Sequence, residues 1–319
     1  MQERIIQFLK EADGYVSGEE MSQQLSMSRA AIWKHMQELR SHGYEIVAVP
    51  HLGYQLLSSP DRLLPHEIHF GLKTKIMGRK VYAFESIPST MDEAFRLGME
   101  GAPEGTLVCA ESQTQGRGRL GRVWVSPKAK GIYASLILRP SLSPSQMPPI
   151  TLMAAVALAE TVRRLTALKP LIKWPNDLLV SNKKLAGILT ELRAETDQVR
   201  FVVLGIGLNI NATSSQLLDT ATSLKIETKK TFNRVEILQE LLCQMEQWYG
   251  LVLKGRFSEI LKYCRKHSAT LKKRVRLHDA SGDIQGMAVA MDDDGGLVIR
   301  LDNGHLVKKM AGDIHQLRQ

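Results

Sequence analysis

Apolar residues at helical spacing open the chain: Ile5, Ile6, Phe8, Leu9 and Ala12 recur on one face, and Gly14 ends the pattern. Ser17 followed by Glu20 predicts a capping box and a second short helix over 18–25. Ser28 can cap a third helix, in which Ile32, Met36 and Leu39 fall at i, i+4 and i+7 and Gly43 supplies the stop. Two β-rich runs, 44–49 and 54–57, flank Pro50-His51-Leu52-Gly53 and read as a hairpin with glycine in its turn. Helix, helix-turn-helix and hairpin in this order predict a winged helix-turn-helix domain over 1–60, ending in a linker at Ser58-Ser59-Pro60-Asp61.

From about residue 65 the pattern alternates β-rich runs with helices, which predicts a domain on a mixed sheet over 65–267. Between 268 and 319, the β-rich runs 272–278, 284–291, 297–302 and 305–310 are separated by Gly282, Asp294-Gly295-Gly296 and Asn303-Gly304, so a small antiparallel barrel is expected there. The fold class is therefore multidomain α+β. The longest apolar stretch, around 150–162, is interrupted by Thr151 and Glu160 and is too short to cross a bilayer, so no membrane association is expected.

Composition narrows the class. A chain of 319 residues with 44% hydrophobic and 24% charged residues has the balance of a soluble globular protein of two or three domains. Cys109, Cys243 and Cys264 are far apart and unaccompanied at ligand spacing, so reduced thiols are expected rather than a disulfide framework or zinc site. The N-terminal segment has charges at both ends of its helical pattern and no signal-peptide core, which predicts a cytoplasmic location. The net charge of +9 is uneven: segments 1–60, 61–267 and 268–319 carry −2, +10 and +1. The middle segment suits a polyanionic small molecule or an acidic partner.

On a winged helix the third helix enters the major groove through its N-terminal residues, here Ser28, Arg29, Ala30, the outward Trp33 and Lys34, with Arg29 the candidate base contact. The net charge of −2 counts against DNA and keeps a protein-binding helical module open as the alternative.

In the middle segment, Gly116-Arg117-Gly118-Arg119-Leu120-Gly121 matches a dinucleotide loop literally, but Val123-Trp124-Val125-Ser126-Pro127 follows where such a loop would open a helix. Three glycines among Arg117, Arg119 and Arg122 instead suggest a flexible cationic loop that folds onto an anion; a solvated basic turn is the alternative. Lys173-Trp174-Pro175-Asn176-Asp177 halts a strand, and Lys184-Leu185-Ala186-Gly187 heads an apolar run. A lysine there either snorkels or points its charge into a pocket. Gly205 and Gly207 are read as ending the strand over 200–204, where backbone can approach a ligand.

Ser89-Thr90-Met91-Asp92, Gln113 ahead of the arginine loop, Trp124, KWPND, KLAGIL and GIGLNIN, in this order behind a winged helix, resemble the bacterial bifunctional biotin protein ligases that are also biotin operon repressors. The resemblance covers nearly the whole chain and implies a class II synthetase-like ligase domain followed by an SH3-like β-barrel. It also implies an activity: biotinyl-5′-AMP is made from biotin and MgATP, and biotin then passes to one lysine of the biotin carboxyl carrier protein of acetyl-CoA carboxylase and other carboxylases. Biotinyl-AMP would further act as corepressor of a homodimer on operator DNA.

By the same resemblance, Arg117 and Arg119 match phosphate-loop arginines, and Lys184 the lysine bridging biotin carboxylate and phosphate. Ser89, Thr90, Gln113 and Gly118 match biotin contacts, Trp124 a lid aromatic and Asn209 an adenylate contact. Met91 stands where asparagine is common, so its contact would be through the backbone. Magnesium would arrive with ATP, without protein ligands. The acceptor lysine is itself the nucleophile, in keeping with a sequence lacking a persuasive Ser-His or Cys-His arrangement. Two rivals are a lipoate-type protein ligase and a biotin-sensing transcription factor without turnover.

Overall fold

The computed structural model describes residues 2–144, 147–195, 198–279 and 282–317, and the chain divides into two compact units, Met1–Gly71 and Leu72–Gln319. In the first unit, α1 (Gln2–Glu11), α2 (Gly18–Leu25) and α3 (Arg29–Ser41) pack around Ile5, Ile6, Leu9, Met21, Ile32, Met36 and Leu39. The caps are those expected, with Ser17 Oγ accepting from Glu20 N at 3.0 Å and Ser28 Oγ from Ala31 N at 3.2 Å. The wing is an antiparallel hairpin, β1 (Glu45–Val49) with β2 (Gly53–Ser58). Gly53 is required where the hairpin crosses the loop before α2: its φ is +111°, and a Cβ would stand 2.0 Å from Val16 O.

The first unit runs past the linker expected at 58–61. A short helix, α4 (Pro65–His69), buries Ile68 and Glu67, and Glu67 accepts from Lys10 Nζ at 2.5 Å and from the Tyr44 hydroxyl at 2.8 Å. A buried carboxylate must be partnered, and both partners lie in the winged helix, which is why 65–71 belong to this unit.

The second unit is built on a seven-stranded mixed sheet of order β3-β4-β5-β9-β8-β7-β6. Its strands are β3 (Val81–Phe84), β4 (Leu107–Ala110), β5 (Gly131–Leu138), β6 (Leu171–Lys173), β7 (Asp177–Val180), β8 (Lys183–Glu195) and β9 (Gln198–Asn209). Only β3 and β4 pair in parallel. Because register partners share a face, Glu191 opposite Val203, Leu189 opposite Gly205 and Gly187 opposite Gly207 all lie on one side of the sheet. There α5 (Thr90–Met99) covers β4, β5 and β9 through Met91, Ala94 and Leu97. The other side is closed by α6 (Pro148–Leu165), whose Thr151 hydroxyl meets Thr190 of β8 at 2.8 Å and which packs on α8 (Arg234–Leu253). At the start of α8 the fully buried Arg234 pairs with Glu111 at 2.6 Å, just beyond β4.

After α7 (Leu224–Thr228), α8 and α9 (Phe257–Lys266), an antiparallel five-stranded sheet of order β13-β12-β11-β10-β14 stands where the SH3-like module is expected. Its strands are β10 (Arg274–Asp279), β11 (Gly282–Met291), β12 (Leu297–Arg300), β13 (Leu306–Lys309) and β14 (Asp313–Gln316). The last is a strand that the hydrophobic pattern does not announce. This sheet falls in the same compact unit as residues 72–267. The buried Trp174, 2% exposed, donates its indole N–H to Gly295 O at 2.9 Å, and Arg265 Nη2 donates to Met291 O at 2.7 Å. No helix among the described residues is long and apolar enough to cross a membrane.

Candidate functional site

Above the Gly205 face of the sheet lies a cavity of about 890 Å³. All ten residues that the sequence nominates for the small-molecule site line it: Ser89, Thr90, Met91, Gln113, Arg117, Gly118, Arg119, Trp124, Lys184 and Asn209. They come from four separate segments: the α5 N-terminus, the loop after β4, the start of β8 and the end of β9.

At the α5 end, Ser89 precedes the helix in extended backbone, its hydroxyl buried and without a hydrogen-bond partner. The Thr90 hydroxyl, by contrast, is taken. It donates to Gln113 Oε1 at 3.0 Å and accepts from Ser135 Oγ at 2.9 Å, while Thr90 N also bonds Gln113 Oε1 at 2.8 Å. Thr90 thus orients the Gln113 amide, whose Nε2 donates to Ser126 Oγ at 3.1 Å. Met91 is 4% exposed and belongs to the core under α5. Its thioether fits because position 205 is glycine, where a Cβ would stand 2.4 Å from the sulfur.

Gly205 and Gly207 do not end the strand, as the sequence suggests; β9 runs through them to Asn209. Their missing side chains make room for residues of this chain. A Cβ on Gly207 would lie 2.3 Å from the Trp124 indole and one on its register partner Gly187 3.0 Å from the same ring. The Trp124 Nε1 is buried and unpartnered, and Asn209 Nδ2 donates to Thr222 O at 3.0 Å.

Next to Gly187 the cavity becomes cationic. Lys184 Nζ lies 2.7 Å from Asp177 and 5.5 Å from the Trp124 ring centroid. The loop from Gly116 to Trp124 is a tight hairpin, closed by Trp124 N to Gly116 O at 2.8 Å and Gly118 N to Arg122 O at 2.7 Å, with one 3₁₀ turn at Arg119–Gly121. No helix follows, so the glycine pattern is not a dinucleotide loop. Arg119 Nη1 donates to Asn176 Oδ1 at 3.1 Å and to Gly312 O at 3.2 Å. Burial pushes its guanidinium pKa down, against the pull of Asp177 and Asp313. Arg117 pairs with Asp92 and Glu191, and Arg122 with Asp313.

Sequence reasoning missed Lys173, Asn176, Asp177, Asp313 and His315, which also line the cavity. Burial lowers the Lys173 ammonium, with Asp177 opposing. The first three stand in KWPND, a string noticed but not assigned. Asp313 and His315 come from β14, and only tertiary packing delivers them.

In the first unit, Arg29, Ala30, Trp33 and Lys34 are exposed together on α3, Trp33 by 58%. Ser28 is spent as the helix cap. Arg29 pairs with Glu19 of α2 at 2.5 Å in a contact exposed on both sides, and Arg40 Nε is committed to Ile46 O at 2.9 Å.

The chain thus joins a helix-turn-helix unit to a second unit that carries a mixed sheet with a cation-lined cavity and a C-terminal antiparallel sheet. Residues 83–209 match the biotin/lipoate A/B protein ligase family, residues 1–55 the HTH domain and residues 270–315 the biotin protein ligase C terminal domain. The bifunctional ligase/repressor BirA of Bacillus spizizenii is 39% identical over 95% of this chain and 94% of its own. That of Escherichia coli is 32% identical over 93% and 92%. The biotin protein ligase from Aquifex aeolicus in complex with biotin and ATP superposes with a TM-score of 0.65 at 27% identity, covering 76% of this chain and 100% of that one. The chain belongs to the family of bifunctional ligase/repressors.

Proposed function

We propose that the chain is a biotin protein ligase and a DNA-binding repressor in one polypeptide, a reading carried by the convergence of ten expected residues on one cavity. The buried, unpartnered hydroxyl of Ser89 fits a ligand rich in hydrogen-bonding atoms at one end, such as the biotin ureido group, with Gln113 beside it. Trp124 covers the middle. Arg119 and Lys184, with Lys173 behind them, face the place where the biotin carboxylate and the ATP α-phosphate must meet.

Two anions repel unless cations offset their charge and hold them in line. A carboxylate oxygen then attacks the α-phosphorus, pyrophosphate leaves, and biotinyl-5′-AMP remains. The acceptor lysine amine of a biotin carboxyl carrier protein attacks the acyl carbonyl, loses its proton and expels AMP. Magnesium enters with ATP and is held mainly by phosphate oxygens. Asp177 keeps Lys184 oriented between turnovers. Arg117, the remaining cation of the expectation, is held by two carboxylates, and its part is taken up below.

Residues 1–60 read DNA, 65–267 carry the chemistry and 268–319 complete the cavity through Gly312 and Asp313. Biotinyl-AMP favours a homodimer that sets two winged helices on a two-fold operator, and the protein works in the cytoplasm. The biotin protein ligase C terminal match over 270–315 favours biotin over lipoate. Exchange of labelled pyrophosphate into ATP, run with biotin and with lipoate, is the test. Exchange with biotin alone is expected, and exchange with neither acid would leave a sensor or repressor without turnover.

A further inference from the structure

The loop arginines meet two kinds of partner, carboxylates at Arg117 and Arg122 and neutral oxygens at Arg119. Arg119 is held by two neutral oxygens, those of Asn176 and Gly312, so its charge stays available to an anion. Arg117 is gripped by two carboxylates from different elements. Asp92 sits in the first turn of α5, and both carboxylate oxygens of Glu191, on β8, lie 3.1–3.2 Å from Arg117 Nη2. The Arg117 guanidinium is therefore neutralised and joined at once to helix and sheet. Glu191 faces the cavity side of the sheet, opposite Val203.

What this grip controls follows from the backbone. Arg117 bridges Val123, and its neighbour Gly116 accepts from Trp124 N at 2.8 Å. Arg117 thus stands at the root of the loop, where both strands of the small hairpin leave the body of the domain, and Trp124 is bonded to its neighbour there. A loop with three glycines has much freedom to lose, so a fixed root decides how long it stays closed.

We propose that Asp92 and Glu191 are positioning residues which, through Arg117, fasten the root of the glycine–arginine loop across the cavity and so retain the acyl-adenylate. Arg119 and Lys184 serve the anions; the Asp92–Arg117–Glu191 triplet serves the closure. The retained ligand rests on the ligase reading, but the fastening does not.

The test compares the full chain with an Asp92→Asn/Glu191→Gln double variant, with Arg117→Gln and with the triple variant. Trypsin cleaves after arginine, so the rate of cutting after Arg119 and Arg122, sites that all four proteins keep, reports loop opening without any ligand. Release of preformed biotinyl-5′-AMP in a dilution chase and the KM for ATP in pyrophosphate exchange are measured beside it. The two ion pairs are partly exposed, so cutting and release should each be about three- to tenfold faster, with the KM for ATP unchanged in the double variant, which keeps Arg117. Acting through Arg117 also requires that the triple variant be no faster than Arg117→Gln.

Unchanged cutting and release would overturn the proposal. So would a lower KM for ATP in the double variant, which would make Arg117 a phosphate ligand held in check. A thermal midpoint that falls together with cutting elsewhere in the domain would reduce the triplet to general stability. If the unaltered chain shows no biotin-dependent exchange, the ligase reading falls by itself, and the cleavage rates still decide the fastening.

Discussion

The Trp124 indole occupies the space that a side chain at Gly207 would need: a Cβ there would stand 2.3 Å from the ring. The aromatic that covers the cavity and the strand that floors it are thus matched, and the match is sterically tight.

Gly207→Ala is therefore expected to push Trp124 off the strand. Because the displaced group lines the cavity and the strand register is unaffected, the loss should fall on biotin binding rather than on folding. Tryptophan fluorescence should show the indole moved to a wetter environment, with the dissociation constant for biotin raised at least about tenfold, a difference on the order of 1.4 kcal/mol. An unshifted emission spectrum with full biotin affinity would contradict the arrangement.

Ser89→Ala separates ligand recognition from stability. The buried Ser89 hydroxyl has no hydrogen-bond partner among the described residues, so removing it leaves no orphan there. The thermal midpoint should hold or rise slightly while the KM for biotin in pyrophosphate exchange rises several-fold. A lower midpoint with unchanged KM would make Ser89 a structural residue.

Glu246, on α8, ties down the strand-free segment before β3 by accepting three successive backbone N–H groups, those of Lys75, Ile76 and Met77 at 2.7, 2.7 and 3.0 Å. Burial pushes its carboxyl pKa up, but these donors outweigh it and hold the group below its ordinary value. A folded-state pKa below the unfolded one means that the stabilisation is present above the unfolded value of about 4.3 and is lost as pH falls through the folded value. Glu246→Gln should cost on the order of 1–2 kcal/mol at neutral pH, and the difference from the unaltered chain should shrink in acid. Urea unfolding at pH 7 and in strongly acidic buffer checks both; a pH-independent difference would assign the loss to packing.

On the winged helix, Lys34 and Trp33 are exposed side by side and unpaired among the hydrogen bonds and ion pairs described for α3, in contrast to Arg29. With Lys34 on a phosphate, Lys34→Ala should weaken binding to all sequences alike and lower the salt slope by about one. With Trp33 against base edges, Trp33→Ala should relax sequence preference at one position and leave the slope unchanged. A DNA fragment selected by the full-length protein from random sequence is the probe; an unchanged slope in Lys34→Ala together with an unchanged sequence preference in Trp33→Ala would remove α3 from the interface.

The winged helix is legible in the sequence because local rules define it: caps at Ser17 and Ser28, the i, i+4, i+7 spacing of Ile32, Met36 and Leu39, and the glycine-ended turns. Its end is not legible. Residues 58–61 look like a linker locally, and only the burial of Glu67 against Lys10 and Tyr44, 57 and 23 positions away, draws α4 into the unit. Gly205 and Gly207 are similar. Glycine pairs in a strand announce a close approach, but not whether a ligand or Trp124 makes it.

By itself, the sequence determined which short-range elements form and which residue types can carry adenylation chemistry, because capping, periodicity and motif chemistry act within a few positions of the chain. The tertiary structure decided how those residues divide the work. It spent the Thr90 hydroxyl on Gln113 and placed Met91 in the core. It neutralised Arg117 with Asp92 and Glu191, left Arg119 beside neutral oxygens, and brought Asp313 to Arg122. Whether a charge or hydroxyl is free or taken depends on partners tens to hundreds of residues distant, and only folding sets those distances.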